Sequence, residues 1–282
     1  MIQEFVSSWH LFQHSYLAGW LIAILLSLIG VLVVARNQIF LGAAVSQAST
    51  LGIALAIWLG ESLLPSALSE LTGATLAPAM AVVFSVAAAI LTTGRGEEGQ
   101  ETPEAVTGWV FLLSASGAIL IVSHSPIGLD EVQRLLSSSI IGATAPDVWV
   151  LGGLAALTAL FFGLFHQRLL LFSLDPAMAA AVGLNLAFWG LASSAWLGLA
   201  VGLSIRVSGM LYTFGCLVLP ALIAKNLCRE VRTMFLLSPV IALGTGIFGF
   251  ILAHRFDFPP AQMTVALLNL FLCLTWIFRR YR

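Results

Sequence analysis

An all-α protein that crosses a membrane about eight or nine times is the fold class this sequence predicts, and three observations predict it. Apolar residues make up 60% of the 282 and charged residues only 9%, with a mean hydropathy of +1.02, far from the averages of soluble chains. The apolar residues gather into runs of ~20, the length an α-helix needs to cross the hydrocarbon core. The central part of each run holds no Asp, Glu, Lys or Arg. In lipid such spans must be helices, because an open strand would leave its backbone groups without partners.

Hydropathy places the runs at Leu17–Ala35, Ile39–Gly60, Leu76–Thr93, Val106–Ser123, Asp147–Phe165, Leu186–Ser204, Gly209–Ala224, Thr233–Ala253 and Ala261–Phe278. The first has no basic residue before it and is too long for the h-region of a cleaved signal peptide, so it stays as a helix. Before it, residues 1–16 form a short interfacial segment, in which Trp9, Phe12 and Tyr16 surround His10 and His14. Two histidines four apart share a helix face and can hold a metal, but aromatic and mildly polar residues before a span are what the membrane interface favours.

Ser46, Gln47, Ser49 and Thr50 sit together inside the second run. Gly42, Ser46 and Thr50 form a stripe of small residues at four-residue spacing, which lets a neighbouring helix approach closely. For Gln47 two readings stay open. Its amide needs partners in a dry setting, so it either bonds across to another helix or faces a wet path.

After the third run, "TTGRGEEGQETPEA" (Thr92–Ala105) is a charged, Gly-rich loop. Gly94, Gly96 and Gly99 do not make a nucleotide site, since no G-K-[ST] follows and no strand precedes them. No other Walker-type stretch occurs, so any ATP that drives this chain binds to another subunit. After the fifth run, Asp175 as N-cap and Pro176 at the first helical position open a short helix, Ala177–Val182 propagate it and Gly183 stops it. Such a helix is either an ordinary connector or a docking knob. The "SIRVSG" stretch, Ser204–Gly209, separates the sixth and seventh runs as a turn, and a re-entrant pair there would change the parity of the crossings.

With nine crossings and the N-terminus outside, Arg134, Arg206 and Arg255 fall on one side and the other nine of the 12 Lys and Arg on the opposite side, which is therefore cytoplasmic. His124, His166 and His254 read as loop residues at span edges. The absence of an ionisable group at midplane argues against a proton-coupled pump. The net charge of −1 and the single lysine, Lys225, exclude a nucleic-acid partner. Cys216, Cys228 and Cys273 form no C-x-x-C pair and read as structural, with Cys216 a lesser candidate for touching a solute.

From Asp175 onward the chain resembles a family. "LDPAMAAAVGLNL" resembles the segment that precedes a span in metal-type ABC importer permeases, where an acid, an Ala and a Gly recur at four-residue intervals, here Asp175, Ala179 and Gly183. Leu197–Leu227 is similar to that family's run of Val-Gly, apolar residues and Pro-Ala, with Gly209, Pro220 and Ala221 in place. "IGVLVVARNQIFLGAAVSQASTLGIALA" and "FDFPPAQMTVAL" are similar to its early and late stretches, so the resemblance covers nearly the whole chain.

The resemblance implies a single permease domain over residues 1–282, multi-pass in the inner (plasma) membrane. It implies a cytoplasmic coupling loop at 166–185 in which Asp175, Ala179 and Gly183 meet an ATP-binding subunit. It further implies a permease homodimer, no enzymatic activity and no cofactor on this chain, ATP on the partner, and an extracytoplasmic binding protein that delivers Zn²⁺, Mn²⁺ or iron. One departure stands out. The family's second span carries a Gly-Asp-x-x-x-His pattern, and Ala43 and Gln47 occupy its acid and histidine positions here. Gln47, with Ser46 and Thr50, is then the candidate translocation path, with metal ligands unassigned and the solute either a divalent metal held weakly or another small solute. A channel working without an ATPase, or a membrane scaffold with the same fold, are the other classes these residues allow.

Overall fold

The protein is described by a computed structural model covering residues 9–63, 66–98, 102–123, 140 and 142–280, with residues 61–63, 66–75, 94–98 and 280 as backbone alone. Nine helices and no strand occur among the described residues. They are α1 (Trp9–Ala35), α2 (Ile39–Leu63), α3 (Ser66–Glu98), α4 (Pro103–Val122), α5 (Ala145–Leu174), α6 (Pro176–Ala181), α7 (Leu186–Leu227), α8 (Val231–Phe256) and α9 (Pro260–Arg280). Eight of these, all but α6, are long and apolar enough to cross a membrane. His124, Arg134 and the residues before Trp9 lie outside the described residues.

Several boundaries differ from the hydropathy runs, each for a local reason. α1 begins at Trp9, so the aromatic residues ahead of the first run continue its helix. α3 continues past Thr93 through Gly94 and Gly96 to Glu98, a stretch with no proline to stop it; Gly99 is outside the described residues. α4 starts where Thr102 Oγ1 accepts from Ala105 N at 3.3 Å and Pro103 pre-sets the first turn. α5 starts where the Asp147 carboxylate accepts from both the Thr144 N–H at 2.9 Å and the Thr144 hydroxyl at 2.6 Å.

The sixth and seventh runs are two helical pieces that meet directly at Gly209, the one residue of α7 outside helical geometry, at φ 73 and ψ 175. A straight helix of 42 residues would extend about 63 Å, twice the ~30 Å hydrocarbon core. The break divides it into two pieces of membrane-crossing length. It also puts Arg206 beside the break, where a straight span would hold it at the centre.

Two compact units emerge from the helix contacts. The first contains α1, α5, α6, residues 207–227 of α7, α8 and α9. Here α8 runs antiparallel to α1: Ser238 Oγ donates to Ser27 O at 3.1 Å, Gly246 lies against Trp20, and Phe250 meets Tyr16 with ring centroids 5.5 Å apart. The later part of α7 runs parallel to α1, as Tyr212 Oη donates to Gly19 O at 3.0 Å, Leu217 backs onto Gly30, and Lys225 reaches Asn37. Gly30 has to be glycine there, because a Cβ would collide with the Leu217 carbonyl. α1 is buried almost all round from Ala18 to Val34, as a helix without a polar face should be.

The second unit contains α2, α3, α4 and residues 186–206 of α7. The early part of α7 runs antiparallel to α3. Ser194 and Thr93 share a hydroxyl bond of 2.6 Å, and Ser85 Oγ donates to Gly198 O at 2.6 Å. α2 packs between α3 and α4, with Gly52 against the Met80 backbone and Leu51 against Gly117. Large apolar side chains stay uncovered along α4 and α5, among them Leu112, Leu120, Trp149 and Leu164. That much greasy surface suits acyl chains and not water, which makes this a multi-pass membrane protein.

Candidate functional site: a polar stretch in α2 and a short capped helix

The polar stretch lies in the part of α2 that is buried on every side, residues 41–50. Ser46 and Ser49 are fully buried, Thr50 nearly so, and Gln47 is 9% exposed. At 100° per residue, Ser46, Gln47, Ser49 and Thr50 cover a little under half of the helix circumference. Thr50 Oγ1 donates back to Ser46 O at 3.2 Å, so its hydroxyl is satisfied within its own helix. The Ser46 and Ser49 hydroxyls, in contrast, have no hydrogen-bond partner among the described residues. A buried unpaired hydroxyl costs about 1–3 kcal/mol. Two of them one turn apart therefore mark a place the helix packing alone does not complete. Ser49 carries no weight in a reading by four-residue stripes, and its three-residue spacing from Ser46 is the signal that would have singled it out.

Ala43 is buried one turn before Gln47, so the polar stretch offers hydroxyl and amide oxygens with neither carboxylate nor imidazole. Among the described residues no group of three or more His, Cys, Asp and Glu is placed to hold a metal ion. His10 is exposed and His14 half-buried at the start of α1. Cys216 is buried in the first unit, Cys228 half-buried, Cys273 exposed, and none is in a disulfide.

The second feature belongs to the first unit and joins Asp175, Ala179 and Gly183 in one motif. The Asp175 N–H closes α5 on Leu171 O at 3.0 Å, while its carboxylate accepts from Met178 N at 2.9 Å and opens α6. Five residues on, Gly183 N donates to Ala180 O at 2.9 Å and Leu184 N to Ala179 O at 3.0 Å, the paired bonds of a Schellman stop. That stop requires a left-handed residue, and Gly183 supplies it at φ 86. Asn185 then caps α7 by accepting from Phe188 N at 3.1 Å.

α6 turns one small residue inward and leaves apolar ones outside. Ala179 is fully buried, whereas Leu174, Met178 and Val182 are 56%, 53% and 67% exposed. All three belong to the α5–α6 corner, Leu174 before the Asp175 cap and Met178 and Val182 after it, the last two one turn apart. A group of uncovered apolar side chains on a rigid, doubly capped corner is suited to insertion into a matching groove on another protein.

Comparison with known proteins gives the family. The ABC 3 transport family matches residues 8–279. The chain is 26% identical over 264 residues to the manganese import system permease protein ScaB of Streptococcus gordonii, covering 91% of this chain and 88% of that one. It is 22% identical over 271 residues to the chelated iron transport system membrane protein YfeD of Yersinia pestis, covering 96% and 86%. In fold it is similar to a chain of PsaBC from Streptococcus pneumoniae, solved in complex with Fab, with a TM-score of 0.80 and 21% identity over 98% of this chain and 95% of that one. A match over this much of the chain, in a protein whose described residues include eight helices of membrane-crossing length, makes this protein a member of the ABC 3 transport family, a permease of the metal type.

Proposed function

We propose that this chain is the membrane-spanning subunit of an ATP-driven importer of divalent first-row metal ions, with Mn²⁺ the foremost candidate. The α5–α6 corner carries this reading, since its exposed Leu174, Met178 and Val182 side chains offer a separate ATP-binding subunit a capped apolar knob. ATP hydrolysis there would push α6 through the Asp175 and Gly183 caps and tilt the spans, opening a path alternately to each side. Two copies would pair, and an extracytoplasmic binding protein would deliver the ion. This chain would bind no ATP and perform no chemistry.

The choice of Mn²⁺ rests on ligand chemistry and on relatives. Amide and hydroxyl oxygens suit hard cations such as Mn²⁺ better than Zn²⁺, which favours nitrogen and sulfur. The relative named above from Streptococcus gordonii is a manganese import permease. The Ser46 and Ser49 hydroxyls, unpaired among the described residues, with Gln47 beside them, supply weak oxygen ligands for an ion in passage.

The experiment is capture followed by reconstitution. Tagged chain purified from its own cells should retain an ABC-type ATP-binding subunit, and vesicles holding both should accumulate radioactive Mn²⁺ only with ATP. Mn²⁺ flux down its gradient without the ATPase would establish a facilitator instead. No flux in either preparation would leave a scaffold.

A further inference from the structure

One end of the first unit gathers cations that the sequence scatters over more than 200 residues. Lys225 Nζ donates to Asn37 Oδ1 at 3.4 Å, and Arg279 Nη1 donates to Asn226 Oδ1 at 3.0 Å. Asn226 Nδ2 in turn donates to Thr275 Oγ1 at 3.4 Å, and Arg36 lies over the Phe172 ring at 4.7 Å. Phe172, Arg36, Asn37, Lys225, Asn226 and Arg279 thus form one row across the ends of α5, α1, α7 and α9. Arg229 and Arg232 follow in and after the short connection to α8, both exposed or nearly so.

The Lys225 and Arg279 contacts leave their charge in place. Lys225 and Arg279 bond to side-chain amides, which orient a cation without neutralising it. The acids at this end among the described residues are Asp175, whose carboxylate caps α6, and Glu230. Beside Arg279, α9 leaves Trp276, Ile277 and Phe278 uncovered, with Phe278 73% exposed. A held basic row thus borders a greasy, Trp-bearing surface at a membrane-facing helix end. That pairing fits an amphiphile with an anionic head and apolar tails, because the tails lie on α9 while the head meets Lys225 and Arg279.

We infer that the Lys225–Asn226–Arg279 row is a binding site for the phosphate headgroup of an anionic phospholipid of the inner leaflet. The Trp276–Phe278 surface holds the acyl chains. Bound lipid then ties α7 to α9 at the end where Asn226 already links them.

The full chain is purified and exchanged into vesicles of phosphatidylcholine with or without phosphatidylglycerol, and the lipid it retains on re-extraction is counted by native mass spectrometry. Each Lys or Arg near an anionic surface is worth roughly a five-fold preference, so phosphatidylglycerol should be retained about 30-fold better. The preference should vanish in K225Q/R279Q, survive in K225R/R279K and survive in R206Q, whose arginine lies beside the α7 break. If K225Q/R279Q does not fold, high salt acting on the unsubstituted chain supplies the same comparison, since screening should erase the preference. Equal retention of both lipids, or a preference unchanged by K225Q/R279Q or by salt, would overturn the site. Displacement of the lipid by inorganic phosphate would replace it with a free-anion site. Capture of an ATP-binding subunit lost in K225Q/R279Q, with lipid preference intact, would replace it with a protein contact.

Discussion

Leu184 donates its backbone N–H to the Ala179 carbonyl at 3.0 Å, across a Gly183 held at φ 86. This bond fixes where α6 ends. Nothing lies within 4 Å of a Cβ built on Gly183, so the demand for glycine is conformational and not steric.

Gly183→Val should therefore strain the stop by about 1–2 kcal/mol, which lowers the docking-competent shape of the corner by about ten-fold. Gly183→Asn, which tolerates the left-handed region, should stay close to normal. The measurement is Mn²⁺ uptake per ATP hydrolysed in vesicles that also hold the ATP-binding subunit. Full coupling in a folded Gly183→Val protein would remove α6 from the coupling path.

The α3–α7 contact should be intolerant of side chains at Gly198. A Cβ there would sit 2.7 Å from Val86 N and 2.8 Å from Ser85 O, against backbone that cannot give way. Gly198→Val should cost about 1–3 kcal/mol and lower the thermal unfolding midpoint in detergent. Gly153→Val, at a position with open space around it, serves as the matched control. Equal midpoints for the two would mean that α3 and α7 do not pack as described.

A carboxylate and an imidazole placed at Ala43 and Gln47 would stack one turn apart on a buried stretch of α2. Ala43→Asp with Gln47→His should bind Zn²⁺ or Mn²⁺ at a stoichiometry measurable by equilibrium dialysis, where the parent binds neither tightly. Turnover should fall as affinity rises, because a strongly held ion leaves slowly. A folded double variant without metal would turn Gln47 into an interhelical hydrogen-bonding residue.

Sidedness can be read from two positions at opposite ends of the first unit. Cys228 follows the α7 end that carries Lys225, and Asp257 caps α8 in the left-handed region at φ 55. With Cys216 and Cys273 replaced by serine, an impermeant thiol reagent added outside cells should label Asp257→Cys and spare Cys228. The reverse pattern would invert the orientation taken from the Lys and Arg count, and equal labelling would show that the two ends share a side.

The sequence by itself determined what depends on near neighbours. Transfer of some twenty apolar residues out of water fixes each span, so composition located the bodies of α4 and α5, though not their ends, and the Asp175–Met178 cap, which closes within three residues, placed α6. The gap at Ser204–Gly209 was also legible, although not that helix would continue up to Gly209 and break at that residue alone. Tertiary structure decided whatever joins distant residues. Tyr212 meets Gly19 across 193 positions and Thr93 meets Ser194 across 101, and no periodicity encodes such a partner. The same holds for the polar stretch of α2. Spacing put Ser46 and Thr50 on one stripe, but only packing showed that Thr50 is satisfied by its own helix while Ser46 and Ser49 are buried without partners among the described residues. A hydrogen bond to residue i−4 is a local choice, whereas the absence of any partner is a property of everything folded around the group.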